Sequence, residues 1–161
     1  RGAPSEGGLA EDARAAWAWV ARRAHPSAQI FLYGQSLGTH VATRLLHDLV
    51  FAKEKHFQNL LSKNGYRHHP AGLILDAPFK NMRLGAAHHP AALPFRLLPP
   101  VRRLLLERLH EPFATDAYLG ELAASPRGGS GKSGAVPPVL IFHGRRDRMM
   151  PFAVGRALYE E

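Results

Sequence analysis

One stretch decides the fold of this chain, and it reads Ile30-Phe31-Leu32-Tyr33-Gly34-Gln35-Ser36-Leu37-Gly38. Four apolar residues that favour β-structure lead straight into the pattern Gly-x-Ser-x-Gly, and a helical pattern begins directly behind it. This order predicts a nucleophile elbow, a strained turn between a strand and a helix with Ser36 at its tip and Gln35 just before it. Side chains at Gly34 and Gly38 would clash where the strand and the helix pass closely. The alternative interpretation is a glycine-rich turn with an idle serine.

The composition is that of an ordinary globular domain with a basic excess. The chain has 161 residues, 45% of them hydrophobic and 21% charged, a net charge of +8 and no cysteine. These values predict one domain without disulfides or thiolate metal sites. The positive charge permits nucleic acid, anionic lipid or acidic substrates as partners and does not choose among them. No initiating Met is present, so we expect a piece of a longer protein.

Strand and helix patterns alternate along the chain. Helices are predicted over residues 9–24, 37–51 and 153–159, and strands over 30–36, 72–76 and 139–142, with the last two buried. The alternation predicts a parallel α/β sheet flanked by helices. Residues 79–124 show no strand pattern and contain a helical stretch at 101–109. Residues 125–138 are of low complexity and predict a flexible loop.

The inward face of the first helix is predicted from its spacing. The residues expected on it are Ala13, Ala16, Trp17, Val20 and Ala24.

A serine nucleophile needs a histidine base, and the base needs an orienting carboxylate. Asp147 follows the strand at 139–142 in a tight loop and is the preferred acid, while Asp76 at the end of the earlier strand is the alternative. Arg145, Arg146 and Arg148 crowd Asp147 in sequence, and we expect a guanidinium that pairs with this carboxylate to slow catalysis. The alternative is that these side chains point to solvent and leave the rate unchanged. No histidine follows Asp147 in this chain, although the order serine, acid, histidine is the one this type of elbow requires. No histidine spacing indicates a metal site, and nothing indicates a cofactor.

The residues at and around these sites resemble a known family, the monoacylglycerol and lysophosphatidylserine lipases of the α/β-hydrolase domain-containing protein 12 type. The resemblance implies an α/β-hydrolase fold in which Ser36 is the nucleophile, Asp147 the triad acid and the Leu37 N–H one half of the oxyanion hole. The family has His where this chain has Gln35. The matching stretches are Gly2-Ala3-Pro4-Ser5-Glu6, Gly34-Gln35-Ser36-Leu37-Gly38-Thr39-His40-Val41-Ala42-Thr43, Asp76-Ala77-Pro78-Phe79-Lys80-Asn81-Met82, Leu140-Ile141-Phe142-His143-Gly144-Arg145-Arg146-Asp147 with Pro151, and Gly155-Arg156-Ala157-Leu158-Tyr159.

The resemblance also implies that the domain, 1–161, is partial and truncated at both ends. The early strands with one oxyanion loop would precede residue 1 and the catalytic histidine would follow residue 161, so we expect the chain alone to be inactive. Residues 79–124 would form a helical, cap-like insertion. Family members are anchored upstream by a transmembrane helix, which implies membrane association at the endoplasmic reticulum.

The function expected from the residues and the resemblance together is that of a serine hydrolase. It would cleave acyl esters of monoacylglycerols or lysophospholipids through an acyl-enzyme. The alternatives are a non-catalytic hydrolase fragment that binds lipid or a partner, and a peptidase of the same fold.

Basic residues set among leucines between residues 93 and 109 predict contact with an anionic membrane surface. Without an aromatic platform beside them, nucleic acid is not expected. The alternative is a helix that buries its leucines and solvates its arginines. The arginines concerned are Arg96, Arg102, Arg103 and Arg108.

Overall fold

The computed structural model describes residues 5–51, 69–81, 100, 103, 104, 107, 113–125 and 135–160. Residues 103, 104 and 107 are helical, as predicted for 101–109. The predicted cap-like insertion and flexible loop lie largely outside these residues, as do Arg96, Arg102 and Arg108. In chain order the described elements are α1 (Glu6–Arg23), β1 (Ile30–Gln35), α2 (Leu37–Phe51), β2 (Pro70–Asp76), α3 (Thr115–Ala123), β3 (Val139–Phe142) and α4 (Phe152–Tyr159).

The three strands form a parallel sheet in the order β1-β2-β3. This confirms the predicted parallel α/β class. At the carboxyl end of the sheet the register places Gln35 of β1 beside Asp76 of β2, and Asp76 beside Phe142 of β3. Because the carboxyl ends of parallel strands share one edge, the segments after β1, β2 and β3 all begin there.

The core lies between one face of this sheet and the helices. Leu32 of β1 with Leu73 and Leu75 of β2 are buried against α1 and α2. The helix α3 packs on α2 and contributes Leu122 to the same core, so the end of the predicted insertion belongs to the main layer. The sequence patterns do not predict α3, because it is short and no side chain caps its N-terminus.

The helix α1 begins at Glu6, earlier than predicted, because the Ser5 side chain caps it by accepting the Gly8 N–H at 3.0 Å. Its inward face also differs from the predicted one. Trp17 is buried as expected, but Val20 and Ala16 are exposed, and the residues buried with Trp17 are Ala10, Ala18 and Ala21. Alanines on every side of a helix leave its apolar face poorly defined, and tertiary contacts orient it instead.

The opposite face of the sheet, the open face, carries exposed apolar side chains among the described residues. Phe31, Tyr33, Leu140 and Phe142 are between 51% and 61% exposed. The prediction that residues 139–142 form a buried strand is therefore wrong, because the described helices α1 and α2 pack on the other face. Among the described residues, no helix is long and apolar enough to cross a membrane.

Candidate active site

Ser36 stands alone between the last residue of β1 and the first residue of α2. Its φ angle is 50°, in the left-handed region that costs a residue other than glycine about 1–3 kcal/mol. The strand and the helix predicted around Ser36 are thus both present, with the strained turn between them. Such a turn exposes the serine hydroxyl at the carboxyl edge of the sheet.

Four hydrogen bonds converge on the Ser36 backbone and its neighbour. The Ser36 N–H donates to the Asp76 carbonyl oxygen at 3.0 Å. The Ser36 carbonyl accepts the N–H of Thr39 at 2.9 Å and the Thr39 hydroxyl at 2.6 Å. Gln35 donates its amide to the Asp76 carboxylate at 3.1 Å. Because the Ser36 N–H is already bound, the Leu37 N–H at the start of α2 is the next donor along the chain that could face an oxyanion.

The two glycines of the motif have different roles. A Cβ added at Gly34 would lie 2.2 Å from the Gly38 carbonyl oxygen and 2.7 Å from the Thr39 Cα. The predicted clash is therefore present at Gly34. At Gly38 an added Cβ would meet nothing within 4 Å in the part of the chain that the structure describes, so the predicted clash is wrong there.

Asp147 lies in the loop after β3, at the same edge of the sheet as Ser36. Its Oδ1 accepts the N–H groups of Met149 at 2.8 Å and Met150 at 2.9 Å. Its Oδ2 has no hydrogen bond from any described residue and lies 3.9 Å from the His143 Nε2. One oxygen therefore shapes the loop, and the other remains available to a donor.

The expected pairing of Asp147 with its neighbouring arginines is not found. Arg145, Arg146 and Arg148 are exposed, and none of them forms an ion pair with Asp147 among the described residues. The loop N–H groups of Met149 and Met150 occupy only Oδ1, and the arginine side chains are exposed and leave Oδ2 without an arginine partner among the described residues.

Asp76, the alternative acid, is already engaged. Its Oδ2 accepts hydrogen bonds from the Tyr33 hydroxyl at 3.0 Å and from the Gln35 amide at 3.1 Å. The Asp76 carboxylate in turn raises the pKa of Tyr33, because it binds the protonated phenol and repels the phenolate. The sequence patterns do not predict these contacts, although the strand period of two places Tyr33 and Gln35 on one face.

None of the described histidines forms a hydrogen bond with Ser36. His40 is buried and bonds the Glu6 carboxylate at 3.0 Å, and burial lowers the pKa of His40. His47 bonds Glu121 at 2.8 Å, and the His143 Nε2 donates to the Met150 carbonyl at 2.8 Å. His25 and His69 precede β1 and β2, at the opposite end of the strands, about 20 Å away.

The remaining five histidines lie outside the described residues, so the absence of a base from this chain stays a prediction. They are His56, His68, His88, His89 and His110.

Among the described residues, no group of three or more His, Cys, Asp or Glu side chains could hold a metal ion.

The strand order sets the distance between Ser36 and Asp147. The strand β2 separates β1 from β3, so the segments that carry Ser36 and Asp147 begin about 10 Å apart. An imidazole hydrogen-bonded on both sides spans a gap of that order.

The chain is similar to proteins that carry the names ABHD12 and ABHD12B. It is 30% identical over 162 residues to the lysophosphatidylserine lipase ABHD12 of Danio rerio, which covers 99% of this chain and 35% of that protein. It is 29% identical over 161 residues to the enzyme of the same name from Macaca fascicularis, covering 98% and 33%. Protein ABHD12B of Homo sapiens is 29% identical over 163 residues, covering 99% and 37%.

The chain thus spans about a third of the length of these curated relatives. No solved structure matches it. The family described as alpha/beta hydrolase fold matches residues 8–157, which include Ser36, Asp76 and Asp147. That match covers nearly the whole chain and agrees with the parallel sheet and the strained serine turn. The chain belongs to the α/β-hydrolase fold family.

Proposed function

We propose that this chain carries the nucleophile and the acid of a serine hydrolase that cleaves acyl esters of monoacylglycerols or lysophospholipids. The observation that carries the proposal is Ser36, held at a φ of 50° at the carboxyl edge of the sheet by bonds on both sides. The relatives named lysophosphatidylserine lipases support the lipid substrate. Because the chain spans about a third of these relatives, the activity is proposed for the protein extended to the full domain.

In this mechanism the Ser36 hydroxyl attacks the ester carbonyl carbon while a histidine from outside the described residues takes the hydroxyl proton. The Asp147 Oδ2 accepts the other N–H of that histidine and stabilises its cation. The Leu37 N–H donates to the oxyanion. The histidine then gives the proton to the leaving alcohol, and water hydrolyses the acyl-enzyme on Ser36.

The test is covalent labelling. In the extended protein, a fluorophosphonate probe is expected to label Ser36, and Ser36→Ala is expected to abolish the labelling, because the probe phosphonylates only an activated serine. Peptide mapping by mass spectrometry identifies the modified residue. Ser27→Ala, at a serine bound to His25 ahead of β1, is the control and should label normally.

Labelling that survives Ser36→Ala would contradict the nucleophile assignment. A folded extended protein without any labelling would favour the non-catalytic alternative. If Ser36 is labelled, hydrolysis of peptide esters in preference to lipid esters would favour the peptidase.

Membrane contact through the basic segment is a second part of the proposal. Arg103 is 82% exposed and bonds only Glu107 of its own helical turn, at 2.8 Å, among the described residues. Its guanidinium therefore lies on the surface, where an anionic bilayer could contact it.

We expect Arg103→Glu to weaken binding to phosphatidylserine liposomes about tenfold at low salt. The variant loses one basic residue, which contributes about 1 kcal/mol near such a surface, and adds a carboxylate that the anionic lipid repels. Co-sedimentation measures the bound fraction. Arg156→Glu is the matched control, because Arg156 bonds Glu160 with the same spacing at 2.7 Å and is also exposed. Equal losses in both variants, or equal binding to neutral liposomes, would leave the arginines as solvated surface residues.

A further inference from the structure

The carboxyl end of β2 is joined to the nucleophile turn by side chains as well as by the backbone. On the open face of the sheet, the Tyr33 hydroxyl and the Gln35 amide both donate to the Asp76 Oδ2, at 3.0 Å and 3.1 Å. The Asp76 carbonyl accepts the Ser36 N–H at 3.0 Å. Asp76 of β2 therefore binds three of the four residues from 33 to 36.

The bonds to Asp76 hold the nucleophile turn from β2, whereas α2 holds it from the other side of Ser36. The Thr39 N–H and hydroxyl hold the Ser36 carbonyl, at 2.9 Å and 2.6 Å, and so fix the turn from α2. A strained backbone persists only where its surroundings determine it from both sides. Hydrogen bonds to a carboxylate are stronger than those between neutral groups. The Asp76 side chain therefore holds the turn more firmly than the backbone hydrogen bonds between β1 and β2 would alone.

The same contacts argue against Asp76 as the acid of the triad. Its Oδ2 is occupied by two donors from β1, whereas the Oδ2 of Asp147 has no hydrogen bond among the described residues. Asp76 ends β2 and Asp147 follows β3, both at the carboxyl edge of the sheet. Only their hydrogen-bond partners distinguish the two aspartates.

We propose that Asp76 is a positioning residue that holds the nucleophile turn through Gln35 and Tyr33, and that it is not the acid of the triad. The inference rests on the proposed serine nucleophile. Its first consequences can nevertheless be measured on the 161-residue chain without any activity.

The first measurement is the titration of Tyr33, followed by NMR of tyrosines labelled at the ring Cζ and assigned with Tyr33→Phe. Because Asp76 raises the pKa of Tyr33, Asp76→Asn should bring the Tyr33 pKa down towards its ordinary value of about 10. In Asp76→Ala the Ser36 amide should also exchange its hydrogen at least about tenfold faster, as its turn loosens. The control is Asp116→Asn, since the Asp116 carboxylate accepts only the N–H of Ala117 in its own helix among the described residues.

The second measurement uses the extended protein and the labelling rate of Ser36. Asp76→Ala should lower this rate about 10-fold to 100-fold, and Asp76→Asn should lower it less, because the amide oxygen still accepts from Gln35. The pH at which labelling reaches half its maximum should stay unchanged, because that midpoint reports the histidine base. Asp147→Asn should change it.

Several results would overturn the proposal. A Tyr33 pKa and a Ser36 exchange rate that do not respond to Asp76 would show that the contacts do not hold the turn in solution. A shifted pH midpoint in Asp76→Asn, or a loss as large as that of Asp147→Asn, would make Asp76 the acid. If the wild-type protein is not labelled at all, the proposed function fails, whereas the two NMR measurements still decide whether Asp76 positions the turn.

Discussion

Replacing Asp147 with Asn is expected to lower the ester hydrolysis rate of the extended protein by about 10³-fold to 10⁴-fold. The carboxylate accepts an N–H of the histidine, holds the ring in the correct tautomer and stabilises its cation. An amide NH₂ in the place of Oδ2 is a donor, so it favours the wrong tautomer and removes the negative charge.

The structure makes this a chemical test rather than a folding test. The amide oxygen of the substituted side chain can still accept the N–H groups of Met149 and Met150, which the Oδ1 of Asp147 binds at 2.8 Å and 2.9 Å. We therefore expect the loop and the thermal midpoint of unfolding to be nearly unchanged. Steady-state kcat with a monoacylglycerol ester is the measurement, and Asp116→Asn is the control for loss of a surface carboxylate. A kcat within about threefold of the wild-type value would exclude Asp147 as the acid.

Gly34→Ala is expected to cost at least about 3 kcal/mol of unfolding free energy. Its Cβ would lie 2.2 Å from the Gly38 carbonyl oxygen and 2.6 Å from the carbonyl carbon, so β1 and α2 would have to move apart. Both contacts are with backbone atoms, which cannot rotate away as a side chain could. Urea unfolding of the 161-residue chain measures the loss.

Gly38→Ala is the matched control for this change. An added Cβ at Gly38 meets no described atom within 4 Å, and Gly38 lies in the first turn of α2. Alanine is the better helix former by about 1 kcal/mol, so the variant should be as stable as the wild type or slightly more so. Equal stability of the two alanine variants would show that strand and helix separate easily.

Local patterns in the sequence encode part of the fold. The apolar run into Gly34, the strained serine position and the helical period after it predict the strand, the turn and the helix at residues 30–51, and all three are present. The alternation of such segments predicts the parallel sheet. Each of these depends on the sterics and spacing of residues that are close together in the chain.

Which side chains contact one another depends on strand register and helix packing. The two aspartates both occur near the ends of apolar strands, and only the register of β1 on β2 brings Gln35 and Tyr33 onto Asp76. Likewise, alanines around α1 do not define its buried face, and the apolar residues of β3 do not reveal that one face of the sheet is open. The bonds from Tyr33 and Gln35 to Asp76 join residues more than 40 positions apart along the chain. Strand register and helix packing select them, and no pattern within a single segment contains that information.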